Sequence, residues 1–172
     1  MKAQQEHLAT NLIPGVLGEG SACQGSSGGT GSGKSTQCPQ YILEDAIARG
    51  LGPDTRIIVT QPRRIAAVSV AERVAGERGE RAGSSVGFSV RLHGCAPRDE
   101  GASVEFVTTG VLLSALGAGV DATLGALSHV ILDEVHERSL LCDFCLTLLR
   151  DSISAAGAAA PRLVLMSATL QA

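Results

Sequence analysis

The sequence predicts an α/β fold in which one mainly parallel sheet carries helices on both faces. Three observations lead there. The apolar run His129-Val130-Ile131-Leu132 stops abruptly at Asp133-Glu134, the pattern of a strand buried on both faces that delivers acids to the carboxyl edge of a sheet, where open α/β folds bind ligands. Upstream, Gly28-Gly29-Thr30-Gly31-Ser32-Gly33-Lys34-Ser35 fits G-x-x-x-x-G-K-[ST], a loop whose backbone N–H groups, lysine and hydroxyl hold nucleotide phosphates and Mg²⁺. The rest of the chain alternates short β-branched runs with stretches of helical spacing.

Taken in order, residues 1–27 are a poorly defined N-terminal segment. Leu12 to Leu17 is broken by Pro14 and Gly15 and followed by a Gly/Ser-rich run. A phosphate loop ordinarily follows a hydrophobic strand, yet only Ala22 and Cys23 precede Gly25-Ser26-Ser27-Gly28. Either Leu12 to Leu17 supplies that strand through a long loop, or the strand is missing. After the loop, a helix opens at Ser35-Thr36, runs through Tyr41, Ile42, Leu43, Ala46 and Ile47, and stops at Gly50. Pro39 is tolerated there as a residue close to the first turn. Its N-terminus would point at the phosphates.

Arg56 to Thr60 is strand-like, and a helix with apolar positions Ile65, Val68, Val70, Val74 and Ala75 follows Gln61-Pro62-Arg63-Arg64. Val86 to Val90 and Val104 to Thr108 read as strands separated by a polar segment from His93 to Ala102. Thr108-Thr109-Gly110 caps a short helix through Leu116. Beyond the acidic strand, Leu140, Leu141, Phe144, Cys145, Leu148, Leu149 and Ile153 follow helical spacing and predict one buried face. Ala155 to Ala160 is a linker, and Arg162 to Met166 is a last buried strand delivering Ser167-Ala168-Thr169.

A chain of 172 residues with 44% hydrophobic composition buries one core, so one domain is expected, over residues 28–172. The net charge of −3 excludes a polyelectrolyte-like nucleic-acid binder. A local patch remains: from Arg56 to Arg98 there are eight arginines and three glutamates, a net +5. Lysine occurs only at Lys2 and Lys34. A compact ammonium and a planar guanidinium are not interchangeable, so a lysine in the loop of an arginine-using chain is informative. Five cysteines without a regular framework, and no charged-then-apolar leader pattern, predict an intracellular, reduced protein of cytoplasm or nucleus. Cys142 and Cys145 have C-x-x-C spacing but no second pair, so they read as core packing. No apolar run approaches the roughly 18 to 20 residues that span a bilayer.

The residues describe a nucleoside-triphosphate site. Asp133 would hold Mg²⁺ through water, because that ion dehydrates reluctantly, and Glu134 would orient and deprotonate the attacking water. With aromatics at 2%, base-stacking platforms are scarce, so a single strand would be gripped by its backbone and without regard to sequence.

Five short motifs in order, Gly28 to Thr36, Thr60 to Arg64, Thr108 to Gly110, Asp133 to Arg138 and Ser167 to Thr169, give the chain its resemblance to the first RecA-like domain of DEAH-box (DExH) RNA helicases. Its D-E-V-H-E-R-S wording resembles the RNA helicase A branch. The resemblance implies a RecA-like P-loop NTPase fold and an ATP-hydrolysing domain that works on single-stranded RNA. It implies that Gly28, Gly29, Thr30, Gly31, Ser32, Gly33, Lys34, Ser35 and Thr36 bind ATP or another nucleoside triphosphate, with Ser35 and Asp133 on Mg²⁺. Arg73 matches an arginine that stacks on the purine ring. Arg63, Arg64 and Thr109 match positions that touch RNA. His136, Ser167 and Thr169 match residues that couple hydrolysis to domain movement. Gly29 stands where the family has glutamate. The family's second RecA-like domain, with its arginine fingers, would follow Ala172 and is not in this sequence, so these 172 residues alone are expected not to unwind a duplex. The alternatives are a truncated nucleotide- and RNA-binding module without turnover, or a P-loop kinase or transporter ATPase, in which Gln61 to Arg64 and His136 have no use.

Overall fold

The computed structural model describes residues 23–27, 33–98, 101–157 and 160–168. Leu12 to Leu17, Gly28 to Ser32 and Thr169 lie outside the described residues. Seven strands form one sheet: β1 (Cys23–Ser27), β2 (Arg56–Gln61), β3 (Val86–Val90), β4 (His93–Cys95), β5 (Ser103–Thr108), β6 (His129–Leu132) and β7 (Arg162–Ser167), in the order β1-β7-β6-β2-β5-β3-β4. All neighbours run parallel except β4, which turns back antiparallel on β3. The helices are α1 (Lys34–Ala48), α2 (Arg64–Glu77), α3 (Thr109–Ala118), α4 (Val120–Gly125) and α5 (Leu140–Ala156).

Side chains alternate along each central strand, and this alternation builds two cores. Ile57, Val59, Ile131, Val164 and Met166 face a cluster completed by Ile42, Leu43, Ala67, Ala71 and Val74 of α1 and α2. Ile58, Val130, Leu132 and Leu163 face the other side, against Leu112 and Leu116 of α3 and Cys145, Leu149 and Ile153 of α5. A strand covered on both faces needs a continuous apolar run, and His129 to Leu132 is buried at every residue. The expected α/β sandwich is therefore the observed one.

Several local expectations need correction. The strand before the phosphate loop is β1 itself, Cys23 to Ser27, paired in parallel register with Leu163 to Ser167. Backbone pairing to β7 makes a strand where Gly and Ser side chains predict none. In α2 the buried residues are Ala67, Ala71, Val74 and Ala75, whereas Ile65 is 83% exposed. Spacing of i, i+4, i+7 and i+8 picks out these small residues, which let the helix lie close on the sheet. In α5 only Cys145, Leu149 and Ile153 are buried, and Leu140, Leu141 and Phe144 are exposed. That helix also reaches Ala156, shortening the expected linker. The polar stretch after β3 contains β4, and Gly87 permits it: a Cβ there would lie 2.4 Å from the Cys95 carbonyl oxygen. Cys38, Cys95, Cys142 and Cys145 are free thiols, and the described residues hold no group of three or more His, Cys, Asp or Glu suited to a metal ion. Among the described residues no helix is long and apolar enough to cross a membrane.

Candidate functional site

Parallel pairing of β2 with β6 sets Thr60 opposite Leu132. The next pair along the carboxyl edge is therefore Gln61 and Asp133, both buried. Gln61 Nε2 donates to Asp133 Oδ2 at 2.6 Å, and the Glu134 backbone N–H donates to Asp133 Oδ1 at 2.8 Å. Each carboxylate oxygen is fixed by one donor and keeps a lone pair for another. A buried acid held this way has one orientation.

The segment beyond Asp133 leaves the sheet through a tight turn. Glu134 and Arg138 both adopt left-handed backbone, at φ 56° and 45°, on either side of the 3₁₀ turn Val135–Glu137. Non-glycine residues in that region carry a conformational cost of about 1–3 kcal/mol and cluster at functional sites. His136 Nδ1 lies 3.2 Å from Glu134 Oε2 and 3.3 Å from the Ala168 amide nitrogen at the end of β7. One nitrogen cannot serve both at once: unprotonated it accepts from Ala168, and protonated it donates to Glu134. Ser167 is buried beside it in sequence, the last residue of β7.

Helix α1 starts at Lys34, after Gly33 in left-handed backbone at φ 80°. Lys34 and Thr36 are buried, and Ser35 is half-buried. The Thr36 hydroxyl donates back to the Gly33 carbonyl at 3.0 Å, closing the first turn. One turn on, the Cys38 thiol is pushed up to about 12 by burial, with the charge of Asp133 adding to the effect. Among the residues expected to hold phosphate, only Gly33 to Thr36 fall within the described part.

A groove of about 1090 Å³ opens at the same sheet edge, among residues that follow β2, β5 and β6. Arg63, Arg64 and Thr109, the residues matched to RNA contact by resemblance, line it together with Gly110. So does Arg91, at the turn between β3 and β4, which the sequence placed in the arginine-rich patch without a role of its own. Thr109 is buried and opens the ten-residue α3, whose first residues line the groove. Glu137 also lines the groove, 3.7 Å from Arg63 Nη2. Arg73 lies apart, on α2, with its Nε donating to Glu77 Oε1 at 3.0 Å. Gln61, Glu77, Arg91 and Glu137 could have been noticed as polar residues within or beside motifs. Gln61, Glu77 and Glu137 are held by partners far along the chain, and no spacing rule reaches that distance.

The DEAD/DEAH box helicase profile matches residues 5–172, nearly the whole chain. The chain belongs to the DEAD/DEAH box helicase family. Over 151 residues it is 52% identical to the DExH-box ATP-dependent RNA helicase DExH3 of Arabidopsis thaliana, covering 85% of this chain and 12% of that protein. It is 47% identical over 148 residues to the ATP-dependent DNA/RNA helicase DHX36 of Homo sapiens, covering 85% of this chain and 14% of that protein. A third relative, the DExH-box ATP-dependent RNA helicase DExH1 of Arabidopsis thaliana, is 49% identical over 146 residues. The helicase-family chain thus spans about an eighth of the length of the curated relatives it matches. Its seven-stranded, mostly parallel sheet is consistent with a RecA-like helicase domain.

Proposed function

We propose that this chain is the ATP-binding and ATP-hydrolysing domain of an ATP-dependent RNA helicase of the DEAH/DExH type, gripping single-stranded RNA by its backbone. The observation that carries this is one of placement. A buried, doubly hydrogen-bonded Asp133 stands at the carboxyl edge, and an arginine-lined groove opens two residues past its partner Gln61.

In this reading Lys34 and the amides that open α1 bind the triphosphate, whose negative charge suits a helix N-terminus. Mg²⁺, when bound, would neutralise phosphate charge. Ser35 and Asp133 would hold it, and a single protein carboxylate suits an ion that keeps most of its waters. Glu134 takes the proton of the attacking water, in a turn that Asp133 and His136 hold in place. His136, Ser167 and Thr169 relay the state of the site to β7 and whatever packs beyond it. Arg73 stacks on the base, which accounts for acceptance of any nucleoside triphosphate. Arg63, Arg64 and Arg91, with the amides that open α3, hold RNA phosphates in the groove, and with 2% aromatic residues such a grip is indifferent to sequence.

The test is a pair of titrations with a fluorescent ATP analogue and a phosphate-release assay, with and without homopolymer RNA. The parent chain should bind nucleotide and turn it over slowly, faster with RNA. Binding without turnover under every condition would replace this reading with that of a nucleotide- and RNA-binding module.

A further inference from the structure

Glu77, at the last turn of α2, uses both carboxylate oxygens. Oε1 accepts from Arg73 Nε at 3.0 Å, one turn back on the same helix. Oε2 accepts from Gln37 Nε2 and Gln40 Nε2, each at 2.9 Å, on the first two turns of α1. The buried Gln40 also donates to the Thr36 carbonyl at 2.9 Å, so the chain of contacts runs from the phosphate-loop helix to Arg73 without a break. Gln37 in turn abuts the loop: a Cβ on Gly33 would lie 3.4 Å from its Cγ.

An ordinary i,i+4 ion pair on a helix surface is loose, because both side chains are long and solvated. This one differs in that two amides from a second helix fix the carboxylate first. Partial burial pulls the Glu77 carboxyl upward, but hydrogen bonds from Arg73, Gln40 and Gln37 and the Arg73 charge outweigh it and hold it below its usual range. Arg73 is engaged through Nε while 69% of its side chain stays exposed. A guanidinium seated by its inner nitrogen, with its plane open, is prepared to stack on a flat ring and has no means to choose among bases.

We propose that Glu77 is a positioning residue for nucleotide binding: it seats the Arg73 guanidinium against the phosphate-loop helix, so that base and triphosphate are held in one fixed relation. This rests on the assignment of Arg73 to the base. Glu77 touches no ligand itself, and its effect reaches the nucleotide only through Arg73.

The experiment measures displacement of a fluorescent ATP analogue from the full 172-residue chain by ATP, by CTP and by inorganic tripolyphosphate, which has no base. Parent, Arg73→Ala, Glu77→Ala and the double variant are compared. Glu77→Ala should weaken ATP and CTP by about two- to tenfold, leave tripolyphosphate within a factor of two, and add nothing in the Arg73→Ala background. Gln37→Ala removes one amide donor, should repeat the pattern at smaller size, and stands in if Glu77→Ala folds poorly. Equal weakening of tripolyphosphate, or an undiminished effect in the Arg73→Ala background, would overturn the proposal in favour of a tie between two helices. If Arg73→Ala leaves ATP affinity unchanged, the assignment of Arg73 fails and this inference with it. If Arg73→Ala weakens ATP and Glu77→Ala does not, only the inference falls.

Discussion

The acid site and the arginine groove share one edge of one sheet, yet they are built on opposite terms. Asp133 is 5% exposed and Gln61 is 3% exposed, and their contact is 2.6 Å. Arg63 is 79% exposed on its side chain, and its contact with Glu137 is 3.7 Å. The dry site fixes each atom before a ligand arrives, which suits chemistry. Electrostatic effects there are large and barely screened by salt. The wet site holds solvent-exposed charges, and each contact there is weak, exchangeable and strongly screened, which suits the polymer track proposed for it. If this contrast is right, substitutions in the first should change rates by orders of magnitude and substitutions in the second should change slopes.

The largest effect belongs to Glu134→Gln. The amide still accepts a hydrogen bond but takes no proton, so nucleotide binding should persist while phosphate release falls by about 10²- to 10⁴-fold. Hydrolysis at the parent rate would remove Glu134 as the base. Lys34→Ala comes next, because it deletes a charge-assisted hydrogen bond of about 1.5–3 kcal/mol, or about 10- to 150-fold in nucleotide affinity. Equal affinity in variant and parent, read by the same fluorescent titration, would break the assignment of the phosphate loop. Both effects should survive a rise from low to moderate salt.

The other end of β6 offers a control that should touch stability and leave chemistry alone. His129 opens that strand, and burial, reinforced by the Arg162 charge, lowers its pKa from 6.5 to about 4. Between these values the unfolded chain binds a proton that the folded chain refuses. The contribution is therefore complete above pH 6.5 and is lost as pH falls toward 4, at up to about 1.4 kcal/mol per pH unit. Urea unfolding at pH 7 and pH 5 should show a steeper loss for the parent than for His129→Leu. An identical loss in both would mean that His129 is protonated in the fold.

The same contrast explains what the sequence made legible. Lys34, Asp133 and Glu134 announce themselves because the chemistry proposed for each is implied by its residue type alone, within a short motif. Gln61 does not, since its role is one hydrogen bond to a residue 72 positions away. Glu77 is similar, 40 and 37 positions from its two glutamines. In the fold, β6 and β7 are legible because burial on both faces demands an unbroken apolar run. Strand β1 is not, because its hydrogen bonds to β7 are a property of the backbone and Gly25 to Ser27 reads as linker. In α2 and α5, periodicity gives the helix, but large residues such as Ile65 and Leu140 draw the eye to the wrong face; the packing is done by Ala67, Ala71, Val74 and Ala75 in α2 and by Cys145, Leu149 and Ile153 in α5.

The smallest effect separates the two sites most sharply. Arg63 lines the groove, and its partner Glu137 is the one carboxylate among the described groove residues. A polyanion entering there must compete with that carboxylate, so on the proposed reading RNA replaces the pair. Arg63→Ala should weaken homopolymer RNA only modestly at moderate salt, similarly for each sequence. The slope of log affinity against log salt should fall by about one unit, because one phosphate contact and its released counterion are lost. Glu137→Gln should act in the opposite direction, raising RNA affinity at low salt while nucleotide affinity stays put. Titrations of two homopolymers at four salt concentrations would read both. An unchanged slope for Arg63→Ala, or a strong preference between the homopolymers, would mean that the groove is not a backbone track. A salt-dependent nucleotide affinity in either variant would mean that the dry and wet sites are not separate.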